Sequence, residues 1–440
     1  MEKTCSYFKN AWLEKRGLIN KESVFSCLLA GILIAIPLKY AFSSLATILL
    51  ITVAFSSFFK IKFSFNTHLF LPVIFYLIML TSLMWTSDTE LTSGGLQKEL
   101  AFLFVPLPFL FIPDIKKINR HLVFRLFSLS MVFYALFYFV KAALRYRTTG
   151  DISVFFYHEL VTQDLSAIYV SVFASFAIFY FVAKKNKNYF EKAALFILIA
   201  LVFLLSSKSI ITIDFILIVC YYSFFSDIPK SVKGTTVIAV FSFLFFSLVY
   251  VKEVRERFLL EYETAFVDNT VNNKIGNDNA KVFNVSLKQA WHNDKFQPNH
   301  FFPGTALRIF QIRAFKEMLD GNSILLTGFG LQASQNKIRE KVAEHNLNLG
   351  YGDFNFHNQY VQTFAEIGIF GFFVLITMLY SNLKNAWKNE DFLHIAFAVT
   401  MIVLFLTESF FCRQRGVLFF ITLYCVFNST LKPTEEKYNL

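Results

Sequence analysis

Long apolar runs recur along nearly the whole chain, separated by short polar and basic segments. Each run is about 15 to 25 residues long, which matches the roughly 20 residues that a helix needs to cross the hydrocarbon core of a bilayer. The hydropathy pattern therefore predicts about twelve transmembrane helices. They cover residues 23–38, 41–59, 68–85, 96–113, 121–140, 161–183, 192–206, 210–226, 234–251, 357–381, 392–408 and 414–431. The predicted fold class is an all-α membrane protein, because the strands of a membrane β-barrel would alternate polar and apolar residues.

Basic residues fall in alternate loops between the predicted helices, and this pattern predicts the orientation. One side receives the basic N-terminal and C-terminal segments and the loops with Lys60 and Lys62, Lys116 and Lys117, and Lys184 and Lys185. Lysine and arginine collect on the cytoplasmic side of membrane proteins, so both termini are predicted to be cytoplasmic. No small-residue cleavage signature follows the basic start, and the first helix is expected to stay uncleaved.

One long polar segment, residues 252–356, interrupts the series of apolar runs and is predicted to lie outside. The predicted organisation is nine helices in residues 1–251, this loop with short amphipathic helices, and three helices with a cytoplasmic tail in residues 357–440. Within the loop, apolar residues recur at helical spacing over residues 305–319. The Asn-rich stretch 269–284 is predicted to be irregular.

Composition narrows the class further. With 55% apolar and 17% charged residues, the chain is unlike an ordinary soluble enzyme. The net charge of +11 is explained by the basic loops, so no nucleic acid is predicted as a partner. The five cysteines form no Cys-x-x-Cys pair, and the loop histidines His292, His300 and His345 lack metal-ligand spacing. The sequence therefore predicts no metal and no cofactor.

Charged residues cluster at the predicted outer ends of the helices. Lys208 lies in the turn between the seventh and eighth helices, and Arg413 and Arg415 begin the last helix, just after Glu408. Lys208 could be a snorkelling side chain, and Glu408 with Arg413 could be a pair that fixes topology, so each residue taken singly is as well explained by a structural role as by a functional one. Taken together, the cations suit an anion presented at the outer surface, and phosphate is the common lipid-borne anion.

The tenth predicted helix has the most distinctive pattern. At helical spacing, one face contains His357, Tyr360, Val361, Phe364, Gly368, Gly371 and Leu375. Two glycines below a histidine predict a shallow groove for a neighbouring helix or a lipid chain. The alternative is a packing seam of small residues with an incidental histidine. Glu366 points away from this face and needs a partner of its own.

This helix resembles a known family signature. His357-Asn358, nine residues, Gly368, two residues and Gly371 are similar to the His-Asn and Gly-x-x-Gly pattern of the O-antigen ligase and polymerase superfamily.

Three further segments extend the resemblance. Arg308 followed by the Gly-x-Gly of residues 328–330 resembles the loop pattern of the family, and residues 408–416 are similar to its last-helix segment. The turn at Lys208 resembles a Ser-Arg turn of the family, with lysine in place of arginine. Lysine keeps the charge but lacks the planar fork that grips a diphosphate from two sides.

The resemblance implies a metal-independent, inverting glycosyltransferase with a GT-C-like architecture in the bacterial inner (cytoplasmic) membrane, surrounded by membrane lipids. Such enzymes take a glycan from an undecaprenyl diphosphate carrier at the periplasmic face and pass it to an acceptor hydroxyl. The acceptor is lipid A-core in ligases and another carrier-linked glycan in polymerases.

The resemblance and the chemistry of the residues assign roles to individual positions. His357, with an ordinary pKa of about 6.5, is the expected general base, and Arg308 is the expected catalytic cation beside it. The residues expected to hold the diphosphate are Lys208, Arg308, Arg313, Arg413 and Arg415. Asn358, Gly368 and Gly371 are expected to line the substrate groove.

Two other functional classes make different predictions. A transporter of lipid-linked glycans would have charges near the membrane midplane and related halves, and the sequence shows neither. A non-catalytic scaffold would tolerate the loss of His357. The sequence does not separate a ligase from a polymerase, because no motif in it identifies the acceptor.

Overall fold

The structure, a computed structural model, describes residues 21–56, 61–112, 118–162, 165–226, 229, 234, 238, 242, 255, 259, 262–272, 275 and 281–429. In the first half, its helices are α1 (Lys21–Ala35), α2 (Tyr40–Ala54), α3 (Thr67–Thr81), α4 (Thr89–Glu99), α5 (Ala101–Phe104), α6 (Pro106–Phe111), α7 (Arg120–Thr149), α8 (Tyr157–Leu160), α9 (Ala167–Ala183), α10 (Tyr189–Leu205) and α11 (Lys208–Cys220). In the second half, the elements are β1 (Thr270–Val271), β2 (Phe283–Asn284), α12 (Leu287–His292), β3 (His300–Phe301), α13 (Gly304–Gly321), α14 (Ser334–Glu344), α15 (Gln359–Lys388), α16 (Phe392–Leu404) and α17 (Gln414–Asn428).

Within the described residues, four helical stretches are long and apolar enough to cross a membrane. They are Thr67–Met84, Arg120–Thr149, Lys208–Phe225 and Gln359–Lys388. Shorter apolar helices accompany them, namely Glu22–Ala35, Tyr40–Ala54, Ala167–Ala183 and Phe392–Leu404. The predicted ninth helix, 234–251, lies almost entirely outside the described residues, so the count of twelve stays a prediction.

The predicted fourth transmembrane helix, 96–113, is not one continuous helix. The structure divides this region into α4, α5 and α6. Pro106 occupies the first position of α6, where the missing N–H of proline does no harm. Inside a longer helix the same residue would remove a backbone hydrogen bond and clash with the preceding turn, so the chain starts a new helix here.

Two helices, α9 and α17, form the centre of the membrane part. Nearly all their side chains are buried, as expected for a helix that is apolar on every face. They contact each other through Phe173 and Phe419, whose ring centroids are 4.8 Å apart. The other apolar helices pack around this pair, and the last helix thereby fixes the position of the turn that precedes it.

The helix predicted over 357–381 exists as α15 but is interrupted. Ile367 and Gly368 have non-helical backbone angles, with a φ of 66° at Gly368. The continuous helical face predicted from His357 to Leu375 is therefore wrong, because the break rotates the second half of the helix against the first.

The polar segment before α15 has a core of its own, formed by residues such as Phe296, Phe310 and Phe356. The helix predicted over 305–319 is confirmed as α13. The Asn-rich stretch predicted to be irregular contributes β1 and β2, which pair antiparallel, while β2 and β3 pair in parallel. The sequence did not indicate these strands because each has only two residues and is defined by its distant partner.

Candidate functional site

His357 lies in the turn that leads into α15. Its φ is 45°, in the left-handed region that residues other than glycine rarely adopt. Its N–H donates to Oδ1 of Asn355 over 3.0 Å. Asn358 then caps the helix by accepting from the N–H of Val361 over 3.1 Å. This turn holds the imidazole beside α13 rather than along the face of α15.

Gln311 of α13 orients the imidazole. Its Oε1 lies 3.2 Å from Nδ1 of His357. The amide group of Gln311 is itself fixed, because its Nε2 donates to the carbonyl of Asn355. An amide oxygen only accepts, so the network assigns the ring proton to Nδ1 and the lone pair to Nε2. Nε2 is the atom that can take a proton from a substrate hydroxyl.

Two arginines place positive charge at this histidine. Arg308 lies one helical turn before Gln311, and its Nε donates to the carbonyl of Thr407 over 3.0 Å. Arg413 precedes α17. The charges of both arginines act on His357 and on Glu408. Among the cations that the sequence singled out, Arg308 and Arg413 are thus the two within electrostatic range of His357.

Glu408 is the acidic member of the cluster. Its carboxyl is buried, with 8% of the residue exposed. The sequence indicated this residue only as a possible partner of Arg413 in fixing the topology. The structure places it in the turn after α16, between Thr407 and Ser409, and both neighbours make hydrogen bonds to the parts of the chain that form the site.

The pKa values of His357 and Glu408 depart from their ordinary values in opposite directions. Burial lowers the pKa of His357 to about 4. The charges of Arg308 and Arg413 also lower it, whereas a hydrogen bond with the backbone of Asn355 raises it. Burial raises the pKa of Glu408 to about 7, although the same two arginines oppose this shift. Near neutral pH the imidazole is therefore neutral, and the carboxyl group is close to its midpoint.

The turn that contains Glu408 is fastened to the start of α15. The N–H of Asn358 donates to Oγ of Ser409 over 3.1 Å, and its Nδ2 donates to the carbonyl of Leu406 over 3.2 Å. The N–H of Gln359 donates to the carbonyl of Phe405 over 2.8 Å. Both polar ends of the Asn358 amide are thus engaged by the protein: Nδ2 joins α15 to the turn, whereas Oδ1 caps α15 itself.

Gly368 and the Gly-x-Gly segment 328–330 meet at the break in α15. The N–H groups of Phe329 and Gly330 donate to the carbonyls of Ala365 and Glu366 over 2.8 and 2.9 Å. The break frees these carbonyls from their helical partners, and the segment satisfies them. A Cβ on Gly368 would lie 2.1 Å from the carbonyl oxygen of Leu326, so this segment fills the place where the groove was predicted.

Gly371 is also occupied by the protein itself. A Cβ there would lie 2.2 Å from the side chain of Ile367, one turn earlier in the same helix. The expected roles of Gly368 and Gly371 in binding substrate remain predictions, and their visible role is to permit the break.

The break also accounts for the partner of Glu366. Its carboxylate accepts from Nε2 of Gln362 over 2.6 Å and from the backbone N–H of Gln332. The sequence left this partner open. Glu366 has two partners, namely Gln362 one helical turn before it and the backbone of Gln332, just after the segment that fills the break.

The other predicted cations have separate environments. Arg313 donates to Oε1 of Glu317 over 2.9 Å and to the carbonyl of Asn293 over 2.7 Å. Arg415 donates to the carbonyls of Ile36 and Leu38 over 3.1 and 2.7 Å. Both guanidinium groups are thus engaged with the protein, and their roles in holding a diphosphate remain predictions.

Lys208 begins α11 and is half-buried. The cations whose charges act on His357 are Arg308 and Arg413. The expected contribution of Lys208 to the diphosphate site is therefore also a prediction.

His345 belongs to a structural cluster. Its Nε2 lies 2.8 Å from Oε2 of Glu317, and its Nδ1 lies 2.7 Å from the carbonyl of Asp294. Among the described residues, no group of three or more histidine, cysteine, aspartate or glutamate side chains is arranged to hold a metal ion.

A comparison with known families finds a match. Residues 192–376 match the model of a family described as O-antigen ligase. This segment belongs to the O-antigen ligase and polymerase superfamily. Members of this superfamily are membrane glycosyltransferase-like enzymes whose partners are lipid-linked glycans and their acceptors, and the chain is accordingly a bacterial membrane protein. A search of the curated proteins finds no match to the chain.

The matched O-antigen ligase segment contains Arg308, Gln311 and His357 but ends before Glu408 and Arg413. The last two residues reach the site through the packing of α16 and α17. Gln311 was missed in the sequence, although its place one helical turn after Arg308 was a usable signal. Glu408 and Arg413 were visible as charges at helix ends, but their convergence on His357 depends on the fold.

Proposed function

We propose that the protein is an O-antigen ligase-like glycosyltransferase that moves a glycan from undecaprenyl diphosphate to a hydroxyl of lipid A-core at the periplasmic membrane face. The observation that supports this most strongly is the imidazole of His357, with Nδ1 oriented by Gln311 and with Arg308 and Arg413 nearby. A base next to two fixed cations suits the attack of a hydroxyl on a glycosyl diphosphate.

In the proposed reaction, the arginines hold the diphosphate and neutralise the charge that develops on it as the anomeric C–O bond breaks. Nε2 of His357 takes the proton of the acceptor hydroxyl, whose oxygen attacks the anomeric carbon from the opposite side. The configuration is therefore inverted. The arginines neutralise the charge and His357 supplies the base, so the proposed reaction needs no metal.

In this proposal, binding of the donor raises the pKa of His357. In the free protein, burial and the charges of the two arginines make the imidazolium form unfavourable. A diphosphate bound at Arg308 and Arg413 cancels their charge, so the pKa of the histidine rises towards its ordinary value. In this proposal the imidazole becomes a better base when the donor is in place.

The test is complementation of a strain in which the gene is deleted. His357→Ala and Arg308→Ala are expected to lower the amount of lipid-anchored surface glycan at least about 100-fold, the usual range for losing a general base. Matched controls are His292→Ala, at an exposed histidine, and Arg339→Ala, whose side chain is 54% exposed. Normal glycan in both site variants, with equal amounts of inserted protein, would rule out the proposal.

The same strains distinguish the alternative, a polymerase of the same superfamily, which the family match supports equally. Surface glycans from the deletion strain are separated by size. A bare lipid A-core indicates a ligase, whereas single repeats on lipid A-core indicate a polymerase.

A further inference from the structure

Glu408 has an environment that the reaction described above does not explain. Only 8% of the residue is exposed, yet its side chain makes no hydrogen bond and no ion pair with any of the residues that the structure describes. Burial of a carboxyl group without a partner is costly. Its two neighbours are engaged, since the carbonyl of Thr407 holds Arg308 and Oγ of Ser409 accepts from Asn358. The turn is therefore well fixed, and the missing partner is not a consequence of loose packing.

The charged and titratable groups around Glu408 come from three parts of the fold. Arg308 of α13 and Arg413 of the turn before α17 act on it electrostatically. Cys412 of that turn and Tyr169 of α9 are the other titratable groups that interact with it electrostatically. Both arginines also act on His357, so the acid and the base have the same two cations in common.

An anion bound by these two arginines would lie next to the Glu408 carboxyl. Two negative groups at one pair of cations repel each other, and the carboxyl group relieves the repulsion by taking up a proton. The donor diphosphate would thus meet a protonated carboxyl, which can donate a hydrogen bond that a carboxylate cannot.

We propose that protonated Glu408 is the catalytic acid that donates its proton to the diphosphate oxygen as this oxygen leaves the anomeric carbon. The inference rests on the proposed function, because it assigns the second proton transfer of that reaction. It also gives the buried carboxyl a partner, which is the donor itself.

Every proton and electron pair in the proposed transfer has a donor and an acceptor. The acceptor oxygen forms a bond to the anomeric carbon and gives its proton to Nε2 of His357. The bond between the anomeric carbon and the diphosphate oxygen breaks, and its electron pair stays on that oxygen, which takes the proton of Glu408. The products are the new glycoside and undecaprenyl diphosphate. The proton on His357 later returns to Glu408 through water.

The opposite pKa shifts agree with this division of labour. A base with a lowered pKa and an acid with a raised pKa are the arrangement expected when two groups have complementary roles. The base works when deprotonated, so kcat/KM falls as the pH drops through the pKa of His357. The acid works when protonated, so kcat/KM falls as the pH rises through the pKa of Glu408.

The experiment measures kcat/KM against pH for the full-length protein in detergent, with undecaprenyl diphosphate-linked glycan extracted from the source strain as the donor. Glu408→Gln keeps the size of the side chain but cannot release a proton. We expect it to lower kcat/KM about 10- to 100-fold at pH 6 and to remove the alkaline decline that the wild type shows above about pH 7. Glu408→Asp should retain that decline with partial activity.

The control is Glu340→Gln, at a carboxylate whose side chain is 61% exposed, which should match the wild type throughout. An active Glu408→Gln variant with an unchanged alkaline decline would overturn the inference while leaving the proposed function intact. If Glu408→Gln fails to fold, an alkaline decline that moves to a different pH in Glu408→Asp supports the inference, and a decline that stays at the wild-type pH overturns it. A wild type with no transfer would instead refute the proposed function.

Discussion

Gln311 decides which nitrogen of His357 can act as a base. The amide oxygen of Gln311 faces Nδ1 because the amide nitrogen is held by the carbonyl of Asn355. Residues that orient a histidine in this way influence both its tautomer and its basicity. In the proposed mechanism, the basicity of Nε2 of His357 therefore depends on a neutral side chain from a different helix.

Substitutions at Gln311 should change the pH dependence as well as the rate. Gln311→Leu removes the orienting hydrogen bond and should lower kcat about 10- to 100-fold. Gln311→Glu places a carboxylate at Nδ1, which stabilises the imidazolium and raises the pKa of His357 from about 4. Because the base must be neutral, the acid limb of the pH–rate profile should then move to higher pH. The measurement is kcat/KM of each purified variant against pH.

The control for this prediction is Gln289→Leu. Its Nε2 donates to Oδ1 of Asn269 over 2.8 Å, in the same polar segment. An acid limb at the same pH in Gln311→Glu and in the wild type would show that Gln311 does not interact with the catalytic ring.

At the scale of elements, the break in α15 is a joint between the membrane helix and the polar segment. The left-handed angle at Gly368 and the backbone of residues 325–330 depend on each other. The N–H of Ile369 donates to the carbonyl of Leu325 over 3.0 Å, so hydrogen bonds cross the joint in both directions. This joint fixes the direction in which the first half of α15 presents the His357 turn.

Gly368→Ala should destabilise the protein. The new Cβ adopts an unfavourable φ and collides with the carbonyl of Leu326, and we expect a loss of roughly 1–3 kcal/mol or more of unfolding free energy. Thermal unfolding in detergent measures this change. The matched control is Gly321→Ala at the end of α13, where a Cβ meets no other atom within 4 Å. Equal melting temperatures for the two variants would show that the joint does not need glycine.

These elements also show what the sequence could and could not predict. The helix over 305–319 follows from local apolar spacing, and the structure confirms it as α13. The break in α15 is not a local property, because residues 325–330, about 40 positions away, supply the hydrogen bonds that make it possible. The glycines of the motif were recognisable, but their spacing suggested a groove, since helical geometry was assumed to continue through them.

At the scale of the whole molecule, the candidate site joins parts of the chain that are far apart in sequence. The contact between Arg308 and the carbonyl of Thr407 spans 99 positions. His357 and Arg308 could be predicted from their motif, whereas the convergence of Glu408 and Arg413 could not, because it results from the packing of α17 at the centre of the helices. The charge of Arg313 fitted the predicted diphosphate site, but the structure shows its guanidinium group paired with Glu317.

This arrangement explains why one protein needs both a membrane part and a polar segment for the proposed chemistry. The polar segment supplies Arg308 and Gln311 through α13, and the apolar helices supply the turn with Glu408 and Arg413. The base stands between them at the start of α15. A lipid-borne diphosphate at the membrane surface would meet residues from both parts at once.

The most direct test of the central claim is transfer by the purified protein in lipid nanodiscs. The donor is undecaprenyl diphosphate-linked glycan, the acceptor is lipid A-core, and EDTA is present throughout. We predict that the wild type forms glycosylated lipid A-core and releases undecaprenyl diphosphate, and that His357→Ala lowers the rate at least about 100-fold while staying folded. Equal rates for the two proteins, or no transfer by the wild type with intact donor and acceptor, would contradict the account.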